Sequence, residues 1–134
     1  MTLKAATFLP LTMDAARRSG SRPLLDQAIR TDRAAAECWM ALLAGCGGAA
    51  RRELGPQLRR LSEATSTQVG SRWWFAEGAG HRKRVAGAQE NLEEAIADGD
   101  GQEFALAFVG YDHAMASAVV CASTPSRKVG ERPA

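Results

Sequence analysis

Apolar residues recur at helical spacing along most of the chain, and the pattern is clearest in its last third. Phe104, Phe108, Tyr111 and Met115 are separated by alternating steps of four and three residues, so they form one stripe on a helix. A weaker second stripe beside it consists of Leu106, Val109, His113 and Val120. A helix that is apolar over more than half its circumference is buried on two sides. We therefore predict that the second stripe is a partner interface.

The segment from Arg72 to Ala122 predicts two long helices joined at residues 98–101, with sequence Asp-Gly-Asp-Gly. Gly99 can adopt the left-handed conformation that closes a helix, and Asp100 can cap the next one. Glu103, three residues later, would complete a capping box. Because the connection is so short, the two helices should pack antiparallel as a C-terminal hairpin.

Two further helices are predicted before the hairpin. The first begins near Ser21 and ends at Gly45, and its apolar face is expected to contain Leu25, Ala28, Ile29, Ala35, Ala36, Trp39, Leu42 and Leu43. The second is expected to begin near Pro56 rather than at Ala49, because a proline disfavours helix at the preceding residue. It should fade through residues 65–67, where short polar and β-branched side chains compete with helix.

These elements predict an all-α fold, a bundle of about four main helices with the C-terminal hairpin. Residues 1–20 are expected to be loosely ordered, with a short helix from Thr12 to Arg18. Residues 21–124 would form the bundle domain, and residues 125–134 a disordered basic tail.

Composition narrows the class of protein. The 134 residues are rich in alanine and poor in aromatics, which favours closely packed helices over a sheet. No stretch is expected to approach the roughly 18 apolar residues of a membrane span, and the N-terminus is too poor for a signal peptide, so a cytoplasmic protein is expected. Cys38, Cys46 and Cys121 lack metal-binding spacing and are expected to be buried, reduced thiols.

The net charge of +2 conceals an uneven distribution. Residues 1–84 contain 14 basic and 7 acidic residues, whereas residues 85–124 contain 7 acidic residues and no basic one. The favoured interpretation is that the basic front half folds onto the acidic hairpin and is neutralised there. The alternative is a basic surface offered to nucleic acid.

Residues 72–75, Arg-Trp-Trp-Phe, precede the basic run at residues 81–84, His-Arg-Lys-Arg. Aromatic rings beside a basic run are typical of surfaces that stack bases and hold phosphates, and also occur at membrane surfaces. The set predicted for nucleic-acid binding is Arg59, Arg60, Arg72, Trp73, Trp74, Arg82, Lys83 and Arg84. The favoured alternative is that Trp74 and Phe75 anchor the core, with Gly78 and Gly80 separating the rings from the charges.

No catalytic, metal or cofactor site is predicted. An EF-hand register would place its obligatory glycine on Glu103, or its first and twelfth ligands on Ile96 and Ala107, so calcium binding fails. Asp112 and His113 diverge around the helix, and Cys121 lies about 12 Å along it from His113. A small-ligand pocket would have to use these groups together with Tyr111.

Residues 98–116 resemble helical hairpins in small uncharacterised proteins of high-GC bacteria. This resemblance covers the last third of the chain and implies helix packing alone. The leading functional hypothesis is a non-enzymatic interaction protein that oligomerises or docks a protein partner. Nucleic-acid binding is the alternative, and a small-ligand-binding bundle is the least favoured.

Overall fold

The computed structural model describes residues 7–123, which are helical over most of their length and contain no strand. Six helices occur in this range: α1 Pro10–Ser19, α2 Arg22–Ala44, α3 Ala49–Val69, α4 Ser71–Phe75, α5 Ala79–Asp98 and α6 Gly101–Ala122. Helices α2 and α3 pack as one pair and α5 and α6 as another, while α1 lies against α6 and α2. The predicted all-α bundle with a C-terminal hairpin is confirmed.

The inner face of α6 forms the centre of the core. Phe104, Phe108 and Tyr111 are fully buried, as the spacing predicts. Their rings meet edge to face, with centroids 5.2 Å apart for Phe104–Phe108 and 5.7 Å apart for Phe108–Tyr111. Phe8, before α1, adds a third edge contact at 5.3 Å from Phe108. Edge-to-face pairs stabilise a core beyond the area they bury.

The joint between α5 and α6 follows its sequence signals. Gly99 has a φ of 68°, in the left-handed region, and the Oδ1 of Asp100 accepts a hydrogen bond from the Glu103 N–H at 3.0 Å. The N–H of Asp100 donates to the Ala95 carbonyl at 3.0 Å, so the closure of α5 occupies the donor that a reciprocal capping box would use.

Helix α1 is better anchored than its sequence predicts. Asp112, in the middle of α6, is 4 % exposed and accepts hydrogen bonds from the N–H groups of Thr12 (2.8 Å) and Leu11 (3.0 Å). It also accepts one from the Thr12 hydroxyl at 2.7 Å. Asp32 of α2 accepts from the N–H of Phe8 at 2.6 Å. Asp112 therefore satisfies N–H groups that a helix start leaves unpaired, and Asp32 holds the residue that precedes the helix.

The pattern predicts only a helix from Thr12 to Arg18 within a loosely ordered segment, whereas α1 runs from Pro10 to Ser19 and buries Thr12, Ala15 and Ala16. The predicted helix is therefore present and longer than expected, and its first N–H groups are paired with a carboxylate about 100 residues away in the chain. Residues 1–6 and the predicted basic tail at 125–134 lie outside the described residues.

Helix α3 begins at Ala49 and continues through Pro56, so the predicted start at Pro56 is wrong. An interior proline costs about 3 kcal/mol. Leu54, Leu58 and Leu61 are fully buried across it, and each such side chain contributes about 1.5–3 kcal/mol. Burial therefore outweighs the local penalty. The helix also does not fade at Thr65, whose hydroxyl donates to the Leu61 carbonyl at 2.8 Å.

The first arm of the hairpin is shorter than predicted. Residues 71–75 form the separate helix α4, and α5 begins only at Ala79. Ser71 is the first residue of α4. At the break, a Cβ added to Gly78 would lie 2.3 Å from the Trp73 ring, so only glycine fits there.

The buried face of α2 agrees with the predicted one in part. Ala28, Ala35 and Leu42 are buried as predicted. The structure also buries Leu24 and Cys38, whereas Leu25 and Ile29 are only partly buried and Leu43 is exposed.

Candidate functional site

The outer face of α6 exposes the second apolar stripe. Leu106 is 60 % exposed and Val109 69 % exposed, His113 is also exposed, and Val120 is about half exposed further along the helix. We call Leu106, Val109 and His113 the α6 ridge. These apolar side chains lie on the face of α6 opposite the one that forms the centre of the core. The predicted interface residues therefore lie together on the surface of the described protein.

A groove of about 640 Å³ runs along the α5 side of the ridge. Its lining from α5 is Arg84, Gly87, Ala88 and Asn91, and its lining from α6 includes Val109, Gly110, His113, Ala114 and Ser117. A Cβ added to Gly87 or Gly110 would meet no atom within 4 Å. The packing of this chain therefore does not explain why either helix has glycine there. We call this concavity the α5-side groove.

Charge changes sign along the α5–α6 surface. At the end near the joint, a concavity of about 440 Å³ is lined by Glu94, Asp98 and Glu103 beside Leu106. Towards the other end, Arg84 borders the α5-side groove. Arg84 and Glu94 are ten residues apart on α5, which corresponds to about 15 Å along the helix axis. The surface therefore has an acidic end, an apolar middle and a basic end.

A second groove lies on the α1 side of the ridge and has a volume of about 440 Å³. Its lining is largely apolar and includes Phe8, Leu11, Trp39, Phe108 and Val109. The α6 ridge is thus bordered by a concavity on each side. Ridges beside grooves are the surface shape by which helices pack against one another.

The aromatic and basic residues at the α4–α5 corner form a second cluster, which shares Arg84 with the α5-side groove. Trp74 is buried, as the core interpretation predicts, but Phe75 is 62 % exposed, so its predicted role as a core anchor is wrong. The Arg82 guanidinium lies 4.8 Å from the centroid of the Phe75 ring, within cation–π range. Its Nε also donates to the Trp74 carbonyl at 3.3 Å. We call Arg72, Phe75, Arg82, Lys83 and Arg84 the basic corner.

Trp73 and His81 stack across the break, with ring centroids 5.8 Å apart and an interplanar angle of 20°. Partial burial lowers the pKa of His81, and the positive charge of Arg84 lowers it further. The glycines at 78 and 80 were expected to separate rings from charges. Instead, Gly78 makes room for the Trp73 ring and brings the two groups together.

Direct ion pairing does not neutralise the basic half within residues 7–123. Among them, the one ion pair within 4.0 Å is Arg18–Asp14, at 3.0 Å on the exposed side of α1. The front half does contact the hairpin through Arg51, which donates to the Ile96 carbonyl near the end of α5. Arg59 and Arg60 are exposed on α3, and Arg60 lies about 15 Å along the helix from the start of α4.

The groups named for a ligand pocket have different environments. The Tyr111 side chain is fully buried, and burial raises its pKa above the usual range, as does the Asp112 charge, while nearby Ser62 has the opposite effect. Ser62 does not complete a hydrogen bond of acceptable geometry, so the Tyr111 hydroxyl is unpaired among the described residues. His113 and Cys121 both border a groove of about 320 Å³ beside α1.

The cysteines do not share one environment. Cys38 is buried, and burial raises the pKa of its thiol, with the Arg51 charge opposing this in part. Cys46 and Cys121 are exposed, so the expectation of three buried thiols is wrong for these two. In the part of the chain that the structure describes, no group of three His, Cys, Asp or Glu side chains is arranged to hold a metal ion.

By length and composition, α6 is apolar enough to cross a membrane, with a mean hydropathy of 1.5 over its best 18-residue window. This corrects the expectation that no stretch approaches a span. Half of that window is buried inside the protein, and the core helix of a soluble protein meets the same criterion.

The chain matches no protein-family model, no curated protein and no solved structure. Functional inference therefore depends on its own residues and geometry.

Proposed function

We propose that this chain is a small helical interaction protein that docks a protein partner, which includes a copy of itself. The docking face consists of the α6 ridge and the α5-side groove. The observation that carries the proposal is the exposure of Leu106 and Val109, at 60 % and 69 %, beside an empty groove.

The energetics support this use of the face. Burying a leucine or valine side chain against a partner contributes about 1.5–3 kcal/mol. Gly87 and Gly110 each cost their helix about 1 kcal/mol relative to alanine. Small residues in a groove allow a neighbouring helix to approach closely. Contact with a partner helix would therefore explain these two glycines, which the packing of the isolated chain does not.

Site-specific photocrosslinking in the cells of origin tests the proposal. A photoreactive amino acid at position 109 should give covalent adducts with a protein. The same residue at position 93 is the control, because Glu93 is exposed on α5 but does not line the groove. Equal adduct patterns at both positions, or none at position 109, would contradict a docking role.

Nucleic-acid binding is the second candidate, and it is favoured by a specific observation at the basic corner. Phe75 is exposed beside the Arg82 guanidinium, and no carboxylate of residues 7–123 lies within 4.0 Å of a basic group there. An exposed ring beside cations that have no carboxylate partner among these residues fits a stacked base and its phosphates.

Binding to a labelled single strand at several salt concentrations tests this candidate. An Arg82, Lys83, Arg84 triple-alanine variant should bind more weakly and with a shallower salt dependence. Phe75→Ala should weaken binding with the salt dependence unchanged, since stacking involves no counterion release. Met40→Ala removes an exposed apolar side chain elsewhere and is the control. Absence of binding at low salt would remove this candidate.

A further inference from the structure

We infer that the partner of the docking face is a second copy of this chain, packed antiparallel about a two-fold axis near Gly87 and Gly110. This inference rests on the proposed function and names its partner. The three features that carry it are the reversal of charge along α5, the shape of the surface and its size.

The charge reversal is self-complementary. Arg84 and Glu94 lie on the same side of α5, and the midpoint between them, near residue 89, falls within the stretch of α5 from Arg84 to Asn91 that borders the α5-side groove. A two-fold axis through that point places Arg84 of one copy opposite Glu94 of the other, and the same contact occurs twice. A parallel arrangement would instead place like charges opposite each other.

The shape of the surface also suits this arrangement. In an isologous interface each copy contributes the same patch, so that patch must contain both a ridge and a groove that accepts it. Here the ridge residue Val109 borders the groove itself, and the glycines at positions 87 and 110 leave its floor open. The ridge of each copy can therefore enter the groove of the other.

The available area is close to what a stable dimer needs. The 22 residues of α6 span about 33 Å, and two helices side by side are about 20 Å wide. The hairpin surface thus measures roughly 650 Å², against about 800 Å² for each partner of a standard interface. Additional area from α1 beside the ridge, where Leu11 is half exposed, would narrow this difference.

Sedimentation velocity of the full chain over a wide concentration range tests the inference. The wild type is compared with variants that exchange the charges at positions 84 and 94. The wild type should approach twice the 14.3 kDa chain mass. Arg84→Glu and Glu94→Arg should each raise the dimer dissociation constant by about tenfold or more, since each removes two contacts. The double variant restores both contacts in swapped form and should recover most of the lost affinity.

Matched controls use residues next to the charged pair. Lys83→Glu and Glu93→Arg make the same charge changes on side chains that do not line the groove or the acidic concavity, so they should change the dissociation constant by less than about threefold. Gly87→Gln adds a side chain into open space, so it should leave the chain folded and raise its Tm while abolishing dimerisation.

A wild type that stays monomeric at millimolar concentration would overturn the second-copy inference. So would a dimer that survives Gly87→Gln, or a charge exchange that restores nothing. Crosslinks from position 109 separate these failures from failure of the proposed function. An adduct of twice the chain mass supports the second copy, whereas adducts only with other proteins overturn it and leave the docking role intact.

Discussion

The two faces of α6 have similar apolar side chains and opposite surroundings. Phe104, Phe108 and Tyr111 on the inner face are enclosed by other helices, whereas Leu106 and Val109 on the outer face are mostly exposed. The stability of the fold accounts for the inner face. It does not account for the outer face, which is the face we propose for docking a partner.

Replacing one side chain on each face should separate these roles most strongly. Phe108→Ala removes a ring that contacts Phe8, Phe104 and Tyr111, and should lower the free energy of unfolding by about 3–5 kcal/mol. Leu106→Ala should change it by less than about 0.5 kcal/mol in dilute monomer. Urea denaturation measures both values. Similar losses for the two variants would mean that the outer face belongs to the core.

The two caps of the fold offer a second comparison, between buried and exposed carboxylates. Asp112→Ala leaves the N–H groups of Leu11 and Thr12 without their acceptor, so we expect a loss of about 2–4 kcal/mol. Asp100→Ala removes an exposed local cap and should cost about 1 kcal/mol.

Hydrogen exchange identifies the cause of these losses. In Asp112→Ala the amides of α1 should exchange much faster while those of α3 keep their relative protection. Uniform loss of protection across all helices would contradict the assignment of Asp112 as the anchor of α1.

The glycines form two groups according to the space around them. The Cβ positions of Gly87 and Gly110 are open, whereas that of Gly78 is occupied by the Trp73 ring. Gly87→Ala and Gly110→Ala should each raise the free energy of unfolding by about 0.5–1 kcal/mol, because alanine favours helix and their Cβ positions are open. Gly78→Ala should lower it, because the added Cβ would collide with the Trp73 ring. Thermal unfolding of dilute monomer orders the three variants. Destabilisation by Gly87→Ala would show that the groove is filled by the chain itself.

The smallest expected effect is the pH dependence of the Trp73–His81 stack. Folding lowers the pKa of His81 below its usual value of 6.5, so its contribution is fully present above about pH 6.5. As the pH falls, the unfolded chain gains the proton first, and this contribution is lost. NMR titration should give a His81 pKa below 6.5, and His81→Gln should remove the corresponding change in Trp73 fluorescence. A pKa at or above 6.5 would contradict the partial burial of the His81 ring beside Arg84.

Local sequence signals predicted the elements whose determinants lie close together in the chain. The spacing of Phe104, Phe108 and Tyr111 identified the buried face of α6, and Gly99 with Asp100 identified the joint. Local signals could not predict how α1 is anchored, because Thr12 and its hydrogen-bond acceptor Asp112 are 100 residues apart in the chain. The continuation of α3 had a readable signal, since Leu54, Leu58 and Leu61 keep helical spacing across Pro56.

The candidate site was partly predictable for a similar reason. The second stripe of α6 is visible in the sequence, but its exposure depends on which neighbours cover the helix. The α5-side groove requires Gly87 and Gly110 to line the same concavity, which only the packing of α5 on α6 determines. The contact between Phe75 and Arg82 depends on the break at Gly78, where local rules predicted separation.

The most direct test of the outer-face account is the solvent accessibility of the Leu106 and Val109 methyl groups as a function of protein concentration. A soluble paramagnetic agent should relax both groups strongly in dilute protein and much less in concentrated protein. The methyl group of Met40, which is 63 % exposed on α2, should stay accessible throughout. If Leu106 and Val109 remain as accessible as Met40 at every concentration, this face does not pair with a second copy.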